Sequence, residues 1–145
     1  MRIIRFMSRN ELSKLMSGQR LRNKTDHHAE YGGHTNSKGF CFFDTSVPPE
    51  ARMKYLTGVV CMEAVVELET DMQLQEGYGM YRDPEKELPD LFSLLFTPVP
   101  MKKLKEYSIS EYSLHTVRII RIGLPKLWPH RIEWKEGNDI DNIAM

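Results

Sequence analysis

An arginine inside an apolar strand needs a partner, and the chain has one at its start. Arg5 sits between Ile4 and Phe6 in Arg2–Met7, a segment whose Ile3, Ile4 and Phe6 favour a strand. An unpaired buried guanidinium is expensive. Two partners are open: an acidic residue of the strand expected over 59–69, or a ligand phosphate held bidentately. Late in the chain Glu106, Ser108 and Ser110 alternate along an extended stretch, with Glu111 beside them. A carboxylate next to two hydroxyls could bind a ribose hydroxyl pair and orient an attacking group; a solvated edge strand gives the same pattern. Asp26, His27, His28 and His34 include zinc-ligating types. Adjacent histidines in an extended segment point apart and no thiolate pair accompanies them, so no metal site is expected. A loop histidine such as His34 can instead donate a hydrogen bond to a ligand phosphate or ribose. Tyr31, Tyr78, Tyr81, Tyr107 and Tyr112 lie in or beside expected loops, where a ring could stack on a base or a nicotinamide.

The elements that must position these groups follow from periodicity. Ser8 and Glu11 have the spacing of a capping box, and Leu12, Leu15 and Met16 make one apolar stripe ending near Gly18. Residues 22–38 are polar and nearly without aliphatic side chains, so they read as a long functional loop that closes over a ligand. GFCFF at 39–43 is apolar on both faces and reads as a central strand. A helix is expected over Pro49–Leu56 and a strand over Val59–Glu69. In that strand Ala64, Val66 and Leu68 share the buried face, and Val65, Glu67 and Glu69 the wetter one. Residues 71–88 read as a loop and Pro89–Phe96 as a short helix. Strands are expected over Lys105–Ile109 and Thr116–Ile122, with an edge strand over Arg131–Trp134 and a flexible tail over 137–145. The sum is one α+β domain over 1–145, a mostly antiparallel sheet with short flanking helices.

At 145 residues the chain is long enough for a core without staples. Twenty Lys and Arg offset twenty Asp and Glu. That balance speaks against a surface that grips nucleic acid everywhere, though not against a local basic patch. The balance hides blocks. Residues 1–24 hold seven basic and one acidic residue, 63–91 nine acidic and two basic, and 102–135 eight basic and three acidic. Such faces could receive a phosphate-bearing ligand or an acidic partner. Cys41 and Cys61 sit among apolar residues and read as buried thiols of a reducing compartment. No apolar run approaches the length of a membrane span and MRIIRFMSRN lacks the features of a signal peptide, so the expected location is the cytoplasm. The phosphate-binding, dinucleotide, nucleophile-elbow and H-E-x-x-H signatures are absent, as is that of the zinc deaminases.

The order of elements resembles the ADP-ribosyltransferase-like fold in its small bacterial and phage versions. The correspondence runs over about residues 2–122. It rests on the Arg-bearing first strand, NELSKLMSG, HTNSKGFCFF, PPEARMKYL, VVCMEAVVELE and KEYSISEYSL before VRIIRIG. The resemblance implies that Arg5 holds NAD. It places Ser37 or Thr35 in the nicotinamide pocket and makes Glu106, or else Glu111, the carboxylate of ribosyl transfer; the loop residues His34 and Tyr31 are the further candidate cofactor contacts that the residue types themselves suggest. That carboxylate would stabilise the oxocarbenium-like ribose left when nicotinamide departs. Leu104 and Ile109 stand two residues before Glu106 and Glu111, where transferases that modify arginine carry a second Glu or Gln. The resemblance therefore implies a different acceptor or a non-catalytic version of the fold. The alternative is a small phage or mobile-element protein that binds and inhibits a host protein through its charged faces.

Overall fold

The computed structural model describes residues 1–23, 39–47, 49, 63–82, 101–125 and 132–143. Within them the chain forms β1 (Arg2–Met7), α1 (Arg9–Met16), β2 (Leu21–Arg22), β3 (Phe40–Asp44), β4 (Ala64–Thr70), β5 (Gln75–Arg82), β6 (Met101–Ile109), β7 (Glu111–Tyr112), β8 (Val117–Pro125) and β9 (Ile132–Glu136). Seven strands make one sheet in the order β5-β6-β3-β1-β4-β8-β9, antiparallel at every pairing, and β2 pairs with β7 in a small second sheet. The α+β expectation holds at that level. No helix among the described residues is long and apolar enough to cross a membrane.

The sheet has an apolar core on each face because its inner strands alternate between two buried sets. Ile3, Met7, Phe42, Val66 and Tyr107 point to the face that receives Leu12 and Leu15 of α1. Ile4, Phe6, Cys41, Phe43, Val65 and Leu104 point to the other. On that second face Phe6 and Phe43 pack edge to face at 5.8 Å. Strand β3 is internal and buried on both sides, as GFCFF predicts. In β4 Ala64, Val66 and Leu68 are fully buried, while Glu69 on the opposite face reaches Arg118 at 3.1 Å.

Two local signals set α1. The Ser8 side chain accepts the Glu11 amide at 3.2 Å at the N-cap. Gly18, at φ +86°, ends the run in the left-handed region while the Gln19 amide closes back on the Lys14 carbonyl at 3.1 Å. Gly39 has a second such backbone, at φ +93°, and a Cβ there would stand 2.7 Å from the Ile109 carbonyl carbon. The β3–β6 approach therefore requires glycine.

The loop expected over 71–88 is corrected: residues 75–82 are strand β5, in register with β6 from Gln75↔Ser108 to Arg82↔Met101. Its glycines and polar residues are poor strand formers alone, and eight consecutive partners override that preference. The expected edge strand is β9, and Gly137–Asn142 form a 3₁₀ turn with Ile140 and Ile143 against the core. The helix expected over Pro89–Phe96, and all but the first residue of that over Pro49–Leu56, lie outside the described residues.

Candidate functional site

Strand β1 places Arg5 on the face that α1 covers, because its neighbours Ile4 and Phe6 belong to the opposite core. Its guanidinium is nearly inaccessible. Nε donates to Glu11 Oε2 and one terminal nitrogen to Oε1, both at 2.9 Å, a bidentate charge-assisted pair. The other terminal nitrogen donates to the Cys41 carbonyl at 3.0 Å. The Phe40 ring lies 5.1 Å from the guanidinium carbon. The Tyr112 hydroxyl donates to Glu11 Oε2 at 2.6 Å, and its ring packs edge to face on Phe40 and Phe42. One connected group thus joins β1, α1, β3 and β7.

This corrects the acidic partner expected for Arg5. Within β4 its register partner is Val66, while Glu67 and Glu69 stand opposite Ile4 and Arg2 and so point to the other face. The partner is Glu11, whose backbone makes the cap while its carboxylate turns to Arg5. Tyr112 and Tyr107 are also corrected: both are buried members of the core rather than loop rings. Sequence reasoning missed Glu11 as a site residue because its capping position already accounted for it.

A cleft of about 240 Å³ opens over this group. Glu11, Phe40, Ser8, Asn10 and Leu21 line it, with the cations Lys14 and Arg22, and Asn23 at its rim. Asn23 and Phe40 stand close to either end of the stretch that carries Tyr31, His34, Thr35 and Ser37, four candidate ligand residues that lie outside the described residues, as do His27 and His28. The Glu11 side chain remains 16% exposed.

Glu106 lies across the sheet from this cleft. It stands opposite Phe43 in the register, is 1% exposed, and accepts a hydrogen bond from the Cys41 thiol at 3.1 Å. Ser108, opposite Cys41, is buried, and its hydroxyl makes no hydrogen bond among the described residues. Ser110 is exposed and outside the strand, its carbonyl taking the Asn23 amide at 2.8 Å. Cys41 therefore touches both sides, its carbonyl serving Arg5 and its thiol Glu106. Glu111 is half exposed on β7 and pairs with Arg22 at 3.1 Å and Arg20 at 3.7 Å. The structure brings Glu111 near the cleft through Arg22, and keeps Glu106 apart from Arg5.

A second cleft, of about 560 Å³, lies where β4 ends and β8 begins, between Thr70–Met72 and Leu114–Arg118; none of the sequence-predicted site residues lines it. Among the described residues no group of three His, Cys, Asp or Glu gathers as a metal site would. The chain matches no family model, no curated protein and no solved structure.

Proposed function

We propose that the chain binds a nucleotide, NAD being the first candidate, in the cleft between α1 and β2, with ADP-ribose transfer or release as the associated chemistry. The observation that supports this is the lining: Lys14 and Arg22 for phosphate charge, Ser8, Asn10 and Asn23 for hydroxyls, Phe40 at the base, and one carboxylate, Glu11. A small-molecule site usually measures roughly 300–1,000 Å³. This cleft is smaller, at about 240 Å³, so in this reading it takes one half of a dinucleotide. Glu11, held rigid by Arg5 and Tyr112, is the carboxylate placed to accept a ribose hydroxyl pair and face a developing positive charge. In this reading Arg5 orients Glu11 and does not touch the phosphates.

Titration calorimetry with NAD and ADP-ribose tests it. Micromolar binding that weakens about tenfold in Lys14→Ala or Arg22→Ala and is unchanged in Glu106→Gln is the expected result. Failure of both ligands to bind at millimolar concentration refutes it. The second reading is a protein that binds a protein partner without catalysis. It is favoured by the separation of Arg5 and Glu106 by the sheet, and predicts no nicotinamide release from NAD under any condition.

A further inference from the structure

The end of the sheet farthest from the ion-paired strands β4 and β8 carries a different surface. On β5 Tyr78 is 54% exposed, one of three exposed large hydrophobic side chains among the described residues. The Lys103 ammonium stands 4.7 Å from its ring centre. Tyr78 is the register partner of Lys105, so the two share a face, and alternation along β6 adds Lys103 to it. The Lys105 ammonium lies 5.4 Å from the Tyr107 ring centre and 3.7 Å from the Glu76 carboxylate. One face of this two-stranded margin thus presents an open aromatic ring and two cations one pleat repeat apart, about 6.8 Å along the strand. Only Glu76 opposes their charge within contact distance among the described residues.

A flat ring in water beside regularly repeated cations matches a ligand with flat apolar groups and regularly repeated anions. We propose that Tyr78, Lys103 and Lys105 form a docking strip for single-stranded nucleic acid. Tyr78 stacks one base, and the two lysines take successive phosphates. Lys103 over the ring adds a cation to the stack. Glu76 acts against binding, since a phosphate at Lys105 must displace it. The balanced net charge is compatible with this, because a local patch suffices. The strip is made by β5 and β6 and shares no residue with the nucleotide cleft, so neither proposal depends on the other.

Fluorescence anisotropy with a labelled oligothymidylate, over a series of salt concentrations, tests the proposal. The wild type binds the single strand in preference to the same sequence as a duplex, whose bases are already stacked. The logarithm of affinity falls with the logarithm of salt, and Lys103→Gln makes that slope shallower by about 0.7, the value for one single-strand phosphate contact. Tyr78→Ala weakens binding on the order of tenfold, and Tyr78→Phe restores it. Glu76→Gln tightens binding, which a merely structural role for Glu76 does not predict. Circular dichroism establishes that each variant is folded; all three positions changed are exposed. The proposal is overturned if the wild type fails to bind the oligonucleotide at low salt, or if Tyr78→Ala binds as well as wild type. Displacement of the oligonucleotide by oligoglutamate with equal potency also overturns it, in favour of an acidic protein partner.

Discussion

Glu11→Ala is the change that most directly tests how the cleft is built. The substitution removes the carboxylate that takes two hydrogen bonds from Arg5 and one from Tyr112. Alanine is a good helix former at that position, so the helix itself loses little. The cost comes from the guanidinium, 3% exposed, which stays buried without its counter-charge. Breaking a buried pair in this way costs about 3–5 kcal/mol. Because the Glu11 side chain is 16% exposed, water can partly replace it, and the expected loss is at the lower end, about 3 kcal/mol. That is a large share of the roughly 5–15 kcal/mol that holds a domain together. Urea denaturation followed by tryptophan fluorescence measures it. The double variant Arg5→Met with Glu11→Leu exchanges the pair for apolar volume and recovers most of the loss, since a buried pair and a hydrophobic replacement are often near equal. A loss below about 1 kcal/mol in Glu11→Ala, the range of an exposed ion pair, refutes the reasoning.

Tyr112→Phe keeps the ring between Phe40 and Phe42 but removes the 2.6 Å hydrogen bond to Glu11, and denaturation should show a loss of about 1.5–3 kcal/mol. Ser8→Ala removes the N-cap acceptor and costs about 1 kcal/mol in the same assay, with no change in the cleft's charge. Gly39→Ala combines a positive φ with a Cβ against the Ile109 carbonyl and should destabilise by more than about 3 kcal/mol or prevent folding, as read by yield and thermal melting. The Tyr107 hydroxyl, and next the Glu76 carboxylate, raise the Lys105 pKa above its usual 10.5. A raised folded pKa gives a contribution that is complete below pH 10.5 and lost as pH climbs through the folded value. An NMR titration of the Lys105 ammonium should show that raised value lowered only in part by Glu76→Gln, the Tyr107 contribution remaining.

Local signals were readable where physics is local. The capping serine, the stop at Gly18 and the two-sided GFCFF strand all emerge in the structure, because each depends on residues a few positions apart, whereas the face of 64–69 expected to be wetter is buried at Val65 and Glu67 under a second core. Strand β5 was not readable, because QEGYGMYR becomes a strand only when β6 lies beside it. Tyr107 and Tyr112 looked like loop rings for a similar reason. Their burial comes from contacts with β3 and α1 that no window along the chain contains. Glu11 was visible as a cap and not as an ion partner, since one residue performs both tasks and the nearer one explained it.

The fate of the Arg5–Glu106 pairing shows why register decides a site. Cross-strand partners point to one face of a sheet and chain neighbours to opposite faces. Ile4 is opposite Phe43, and Phe43 is opposite Glu106, so these three share a face. Arg5 follows Ile4 directly and must point to the other. The result rests on two registers, and a slip of one residue in either would reverse it. Sequence supplies the alternation within each strand but not the offset between strands, so it offered an arginine and a carboxylate without their relative side. The same parity excludes Glu67 and Glu69; the carboxylate that Arg5 meets among the described residues is that of Glu11, reached through the turn from β1 into α1. A cofactor site built on Arg5 must therefore draw its carboxylate from the helix side of the sheet. Glu106, held against the Cys41 thiol, lies on the reverse face of the sheet, away from any such site.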